Sequence, residues 1–214
     1  MKKMTLCLST AFTVVVFLLS GCVDGTDDTI DLPFTDPYHL KIAEGWVEFE
    51  SGRYNDAIAV FSEASEVDSL RSNAYLGLGW CYAMIDDLDR SLSNLVTATQ
   101  KEPGAPDGHA AKVFVYLAQE QYDDVIAAGN RAISLGGDEY VFSQIPDVHT
   151  RNIRLAMAEA YYAEGQYADA QTQIDILEPN NRLDQNSQTY ERDLILEIES
   201  LRSVSPVLEE LMSN

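Results

Sequence analysis

Three histidines and two acidic clusters are the residues of this chain best suited to metal or acid–base chemistry. His39, His109 and His149 lie far apart, and none has a second histidine one helical turn away, as a zinc-binding helix usually does. The acidic clusters, residues 86–89 and 123–124, lack the alternating ligands, central glycine and late glutamate of a calcium loop. The sequence also contains no nucleophile elbow, phosphate-binding glycine loop or dinucleotide fingerprint. We therefore predict a protein that is not an enzyme and needs no metal or cofactor, with an enzyme of unmarked site as an alternative.

Cys22 is placed for covalent modification, because it follows a segment with the composition of a secretory signal peptide. That segment has two lysines near its start, an apolar run over residues 11–19 and small residues before position 22. The apolar run is shorter than the ~20 residues that cross a bilayer. Leu19, Ser20, Gly21 and Cys22 resemble the lipobox of bacterial lipoproteins. That resemblance implies cleavage before Cys22 and lipidation of its sulfur.

The same resemblance implies a location in the cell. Lipoproteins of the enterobacterial type are held at the inner membrane by an aspartate directly after the cysteine, and this chain has Val23 there. We therefore expect a membrane lipoprotein that faces the periplasm, with the outer membrane favoured. Residues 22–36 are acidic and lack helical periodicity, so we expect them to form a tether.

The formal net charge of −21 argues against one class of partner. Nucleic-acid-binding proteins are basic along their contact surface, so we predict no nucleic-acid partner. The same charge repels anionic lipid headgroups. This leaves the lipid on Cys22 as the expected link to the membrane.

Cys81 is expected to have no partner for a disulfide bond, because Cys7 leaves with the signal peptide and Cys22 carries lipid. It lies between Trp80 and Tyr82 in a stretch that is expected to pack tightly. We expect Cys81 to be a small buried residue rather than a reactive thiol.

Large aromatic residues recur at a spacing of 34 residues, at Trp46, Trp80 and Phe114. A fixed period of this length is typical of an array of helical hairpins. The chain repeats with this period in segments that each contain two helical stretches and a short connection, at 43–69, 77–103, 111–137 and from 156 onward.

The second segment resembles the tetratricopeptide repeat (TPR), a 34-residue helix–turn–helix unit. The aromatic, Leu-Gly, Tyr, Ala and Pro positions of that repeat are filled by Tyr75, Leu78, Gly79, Tyr82, Ala98 and Pro103. The resemblance covers about residues 38–184. It implies an all-α fold, a TPR-type α-solenoid of about four helix–turn–helix repeats with a C-terminal capping helix. The expected parts are a signal peptide (1–21), an acidic tether (22–36), a TPR array (37–184) and C-terminal capping helices (185–214).

The third unit departs from the pattern at Gly129. Phe61 and Leu95 fill the corresponding place in the first two units. Because glycine has no side chain to fill the space between helices, we expect loose packing there.

An insertion separates the third and fourth units. Tyr122 and Tyr167 are 45 residues apart, 11 more than one period, and the extra residues fall at about 138–150. One interpretation is a loop tucked against the core, with residues 140–142 covering it. The alternative is a loop that contacts a partner. The first interpretation is favoured.

The resemblance implies that the first helix of each unit lines a concave surface. An exposed aromatic ladder on such a surface is typical of a partner site. We therefore predict a lipid-anchored scaffold for protein–protein interaction in the bacterial envelope, which binds an apolar peptide or helix. The predicted groove residues are Ile42, Trp46, Phe49, Leu76, Trp80, Phe114, Leu117, Leu155 and Tyr162, with Glu159 on the same face.

Two alternatives to this hypothesis stay open. In the first alternative, the protein fills the groove itself, either with Leu32-Pro33-Phe34 of the tether or with the helix that contains Leu194 and Ile198. In the second, the protein is a periplasmic carrier of an apolar small molecule or lipid, because aromatic concavities also bind such molecules.

Overall fold

The computed structural model describes residues 36–203, which form helices joined by short turns and longer loops. The helices are α1 (Pro37–Glu50), α2 (Tyr54–Val67), α3 (Asn73–Met84), α4 (Leu88–Lys101), α5 (Pro106–Ala118), α6 (Tyr122–Gly136), α7 (Thr150–Ala163), α8 (Tyr167–Leu177) and α9 (Tyr190–Arg202). Within residues 36–203 the only β-type pairing is one antiparallel bridge between Val141 and His149.

Local sequence explains where several helices begin and end. The Asp36 carboxylate accepts a hydrogen bond from the Tyr38 amide at 3.0 Å, and Pro37 occupies the first helical position. Helix α6 ends at Gly136, and Gly137 follows with φ of 77°, a conformation that glycine adopts without strain. Both ends follow from the residues at the boundary, because the aspartate caps an amide group and the glycine tolerates the left-handed conformation.

The helices pack in the order of a solenoid. Each of the pairs α1–α2, α3–α4, α5–α6 and α7–α8 forms a hairpin, and successive hairpins stack on one another. The first helices of the hairpins also contact each other in turn, from α1 to α3, α5 and α7. The predicted all-α solenoid of four helical hairpins is therefore confirmed.

Glycines allow the close approach of helices in the first two hairpins. A Cβ atom added to Gly77 would lie 2.5 Å from the Phe61 ring, and one added to Gly79 would lie 2.4 Å from Leu95 Cδ2. The Ser91 hydroxyl donates a hydrogen bond to the Gly79 carbonyl at 2.7 Å, which further ties α3 to α4. Larger residues at these glycines would force the hairpins apart.

The expectation of loose packing at Gly129 is wrong. A Cβ atom added there would lie 2.5 Å from Met157 Sδ, and Met157 is buried. The methionine of α7 fills the space that Phe61 and Leu95 fill from within their own hairpins. Methionine is suited to this because its flexible thioether chain adapts to irregular gaps.

The insertion loop, residues 137–149, is tied closely to the helices beside it. The Phe142 amide donates to the Val148 carbonyl at 2.8 Å, and the Thr150 hydroxyl donates to the Gly137 carbonyl at 2.8 Å. Tyr140 and Phe142 are buried, whereas Val141 is 53% exposed. The favoured interpretation of a tucked-in loop is therefore confirmed for Tyr140 and Phe142 and wrong for Val141.

Helix α9 closes the C-terminal end of the array. Leu194 and Ile198 are buried, and the helix packs against α7 and α8. This is the expected capping helix, and several of its polar residues, such as Glu191, Arg192 and Ser200, are exposed, as a terminal element requires. The predicted signal peptide, the tether up to residue 35 and the part of the predicted C-terminal capping region after residue 203 lie outside the described residues. No helix within residues 36–203 is long and apolar enough to span a membrane.

Candidate binding site on the inner face

The inner face is the side of α1, α3, α5 and α7 that carries Trp46, Trp80, Phe114 and Leu155. The prediction that a row of aromatic side chains is exposed to solvent on this face is wrong. Tyr162 is half-buried, and the other predicted groove residues are all at most 9% exposed: Ile42, Trp46, Phe49, Leu76, Trp80, Phe114, Leu117 and Leu155.

Phe142 of the insertion loop covers the two indole rings. Its ring centroid lies 5.7 Å from that of Trp46 in an edge-to-face arrangement, and 6.2 Å from that of Trp80 in a stacked arrangement. Both geometries are favourable for aromatic pairs. Phe142 therefore occupies the position where an apolar side chain of a partner was expected.

The alternative of a self-filled groove is thus correct for this part of the inner face. The segment that fills it is the insertion loop, and neither of the two segments proposed from the sequence is seen there among the described residues. Helix α9 lies at the other end, beside α7, and Leu32-Pro33-Phe34 lies outside the described residues. The sequence did carry a signal, because three apolar residues, Tyr140, Val141 and Phe142, follow one another in a loop. What it did not show was the direction in which the loop folds.

A partly buried hydrogen bond helps to hold the insertion loop. The Tyr140 hydroxyl donates to Asp107 Oδ1 of α5 at 2.8 Å. Burial raises the pKa of Asp107 above its usual range, although the Tyr140 hydrogen bond opposes that rise. Burial and the neighbouring Asp107 also raise the pKa of Tyr140, so the phenol stays protonated and remains a donor.

Among residues 36–203, none fills the inner face near its C-terminal end, where a cavity of about 240 Å³ lies that we call the terminal cavity. It lies between the end of α5, the start of α6, α7 and α9. Two predicted groove residues, Leu117 and Tyr162, line it. The other lining residues are Glu120, Tyr122, Glu159, Ala163, Ile195, Ile198, Glu199 and Arg202.

Glu159 is the least satisfied charged group of the terminal cavity. Its side chain is 12% exposed, and Oε1 is buried without a hydrogen-bond partner among the described residues. Oε2 lies 3.9 Å from Arg202 Nη1, which is beyond hydrogen-bond distance. Burial raises the pKa of Glu159 to about 7, and Arg202 only partly opposes this. The carboxyl group therefore keeps its proton to a higher pH than an exposed glutamate does.

The other residues singled out for chemistry do not form a site in the described part of the chain. Cys81 is buried and free, and burial raises the pKa of its thiol to about 12, so it is the inert residue that was expected. Burial also lowers the pKa of His109 and of His149. Residues 36–203 contain no cluster of His, Cys, Asp or Glu that is arranged to hold a metal ion. Cys22 lies outside the described residues.

Comparisons with known proteins agree with this geometry. Residues 42–106 match the family model of the tetratricopeptide repeat. Among solved structures, MamA is 19% identical with a TM-score of 0.55, and the likeness covers 77% of this chain and 80% of that one. YrrB, described as a TPR protein with an unusual peptide-binding site, is 15% identical with a TM-score of 0.58, covering 83% and 82%. A comparison with curated proteins found no match. The chain therefore has the fold of a TPR-type α-solenoid.

Proposed function

We propose that this protein is a lipid-anchored scaffold of the bacterial envelope that binds a segment of a partner protein at the terminal cavity. The proposal rests on the difference between the two ends of the inner face. Phe142 fills the part beside Trp46 and Trp80, whereas no residue of the described range fills the part beside Leu117 and Tyr162. A partner has access at the open end without displacing any described residue.

The surroundings of the terminal cavity suit a polypeptide segment. The walls of the cavity include the apolar residues Leu117 and Ile198 and the aromatic residues Tyr122 and Tyr162. Grooves that hold an amphipathic helix or an extended peptide have walls of this kind. Solenoids of stacked repeats use curved inner surfaces of this kind to bind partners. The apolar-segment hypothesis from the sequence is therefore kept, with its site moved to this end of the inner face.

The carrier and enzyme alternatives have less support. A volume of about 240 Å³ is below the ~300–1,000 Å³ of pockets that enclose a small molecule. The residues that line the cavity also include no serine, cysteine, histidine or lysine within the described range. An enzyme using this cavity would have to work with the carboxyl, tyrosine hydroxyl and guanidinium groups of these described residues.

Anchoring through Cys22 is the second part of the proposal. The support is the Leu19–Cys22 motif behind an apolar segment, together with a net charge of −21 that keeps the protein body away from anionic headgroups. An anchor with more than one acyl chain holds a protein firmly to a bilayer. The same motif, followed by Val23, favours the outer membrane.

Membrane fractionation tests the anchor. The Cys22→Ser variant should move from the membrane fraction to the soluble periplasmic fraction, whereas Cys81→Ser should stay with the membrane. Continued membrane association of Cys22→Ser would show that another segment anchors the protein.

Site-specific crosslinking tests the partner site. A photoreactive phenylalanine analogue replaces Tyr162 in the cavity or, as a matched control, Thr172, which is exposed on α8. In intact cells we expect a discrete adduct from position 162 and none from position 172. Equal adducts from both positions, or none from either, would overturn the proposed site.

A further inference from the structure

We infer that the terminal cavity receives a lysine or arginine side chain of the partner, with the Glu159 carboxylate as its counter-ion. This inference rests on the proposed function, because it names the chemistry of the segment that enters the same cavity. The surroundings of Glu159, the shape of the cavity and the composition of the chain each support it.

The charges around the cavity favour a cation. Glu120, Glu159 and Glu199 line it, and Arg202 is the single basic residue that the described chain places there. Arg202 is 37% exposed and lies 3.9 Å from Glu159, so it neither saturates nor fully neutralises that carboxyl group. With Glu159 ionised, the lining has two more negative than positive charges, and an anionic segment would be repelled.

The unmet hydrogen bonds of Glu159 favour a donor. A buried carboxylate oxygen without a partner costs the desolvation energy of that group, and a charged N–H donor removes that cost. Glu159 Oε1 has no such donor within residues 36–203. A lysine or arginine supplies both the donor and the opposite charge, and its presence would lower the raised pKa of Glu159.

The size and walls of the cavity favour a long side chain. Its volume of about 240 Å³ suits a single residue better than a small-molecule ligand, for which ~300 Å³ is the lower limit. The lining includes the apolar residues Leu117 and Ile198 and the aromatic residues Tyr122 and Tyr162. Apolar and aromatic groups suit the methylene stem and the charged head of such a side chain. The chain already makes this kind of contact elsewhere, at distances of 4.6–5.4 Å from the ring centroid, in the pairs Arg71–Tyr38, Arg90–Tyr82, Lys101–Tyr75 and Lys112–Tyr116.

The composition of the chain argues that the cation comes from outside. Residues 4–35 and 204–214 contain no lysine, arginine or histidine. Neither segment, although each lies outside the described residues, is able to supply the positive charge. The remaining basic residues, apart from Lys2 and Lys3 of the predicted signal peptide, belong to the described helices and turns. A partner polypeptide with a basic residue among apolar ones fits the cavity best.

A pair of matched peptides tests the inference. Both are labelled, capped peptides of leucine and serine with one central residue, which is arginine in the first peptide and citrulline, its neutral isostere, in the second. Fluorescence anisotropy measures their binding to the full-length protein in detergent. We expect the arginine peptide to bind at least about tenfold more tightly than the citrulline peptide, as a charge pair in a partly buried site allows.

Variants of the protein assign the preference to Glu159. Glu159→Gln should reduce the ratio of the affinities for the arginine and citrulline peptides to about onefold, because the amide carries no charge. Glu159→Asp, which keeps the charge on a shorter side chain, should keep part of the preference. Glu164→Gln, a matched control on an exposed residue outside the cavity lining, should keep all of it. Circular dichroism confirms that each variant is folded.

The pH dependence gives a second measurement. The arginine preference should rise between pH 6 and pH 8, because Glu159 ionises over this range. Five other titratable or charged groups line the cavity, and burial raises the pKa of the two tyrosines among them, which therefore keep their protons over this range. These other groups are Glu120, Tyr122, Tyr162, Glu199 and Arg202.

The possible results separate this inference from the proposed function. Equal binding of the two peptides to the native protein, together with a crosslink from position 162, would overturn the cation and leave the scaffold function intact. Absence of any crosslink from position 162 would overturn the proposed site itself. If sedimentation shows self-association that Glu159→Gln abolishes, the cation belongs to a second copy of this chain, and the inference of a separate partner is wrong.

Discussion

Replacement of Phe142 by alanine tests how the inner face is covered. The ring is 3% exposed and packs against both Trp46 and Trp80. Truncation of a buried phenylalanine costs about 3–5 kcal/mol, because apolar area is exposed and a cavity remains. Each of the two aromatic contacts accounts for roughly 0.5–1.5 kcal/mol of that loss. We therefore expect the free energy of unfolding to fall by about 3–5 kcal/mol.

Tryptophan fluorescence is a direct assay of this change. The chain has two tryptophans, Trp46 and Trp80, and Phe142 contacts both. In Phe142→Ala the native emission should shift to longer wavelength as water reaches the indole rings, and urea unfolding gives the change in stability. Val141→Ala is the matched control, because Val141 is 53% exposed and its truncation should change stability by no more than about 0.5 kcal/mol.

One result would refute the reasoning. If Phe142→Ala and Val141→Ala unfold at the same urea concentration and show unchanged emission, the loop does not cover the inner face in solution. The open aromatic groove predicted from the sequence would then be correct. Far-ultraviolet circular dichroism distinguishes this outcome from loss of the helical fold.

Three further predictions concern stability and reactivity. Stability should fall as pH rises from about 4.5, the ordinary pKa of an unfolded glutamate, to about 7, because the folded protein holds its proton on Glu159 more tightly. This group accounts for roughly 3 kcal/mol at 1.36 kcal/mol per pKa unit, so Glu159→Gln should flatten the curve of unfolding free energy against pH and be the more stable protein at pH 8. Gly79→Ala should lower the melting temperature because its Cβ meets Leu95, whereas Gly104→Ala, with no heavy atom within 4 Å, should leave it unchanged or slightly higher. Peptide mapping after treatment with iodoacetamide at pH 8 should find Cys81 unmodified in the native protein and modified in urea, and rapid native modification would contradict its burial.

The helical hairpins were predictable because their causes are local. Apolar residues at helical spacing, Asp36-Pro37 at one helix start and Gly136-Gly137 at one helix end act within a few residues of one another. The 34-residue period then fixes the stacking, since equivalent small residues such as Gly79 recur where helices must approach closely.

The state of the candidate site was not predictable in the same way. The pattern identified the correct face for Leu117, Glu159 and Tyr162, because side chains at helical spacing share a face. It gave the wrong exposure for Trp46 and Trp80. Exposure depends on what else packs there, and the covering residue comes from a loop without a regular pattern.

The sequence by itself determined an acidic chain of repeated helical hairpins, because periodicity, helix ends and charge are properties of neighbouring residues. Only the tertiary structure decided which part of the inner face is open. The contact of Phe142 with Trp46 joins segments far apart in the chain, and the raised pKa of Glu159 depends on burial by α9 and its neighbours. Burial and long-range contacts are set by the packing of the whole array, and no local pattern encodes them.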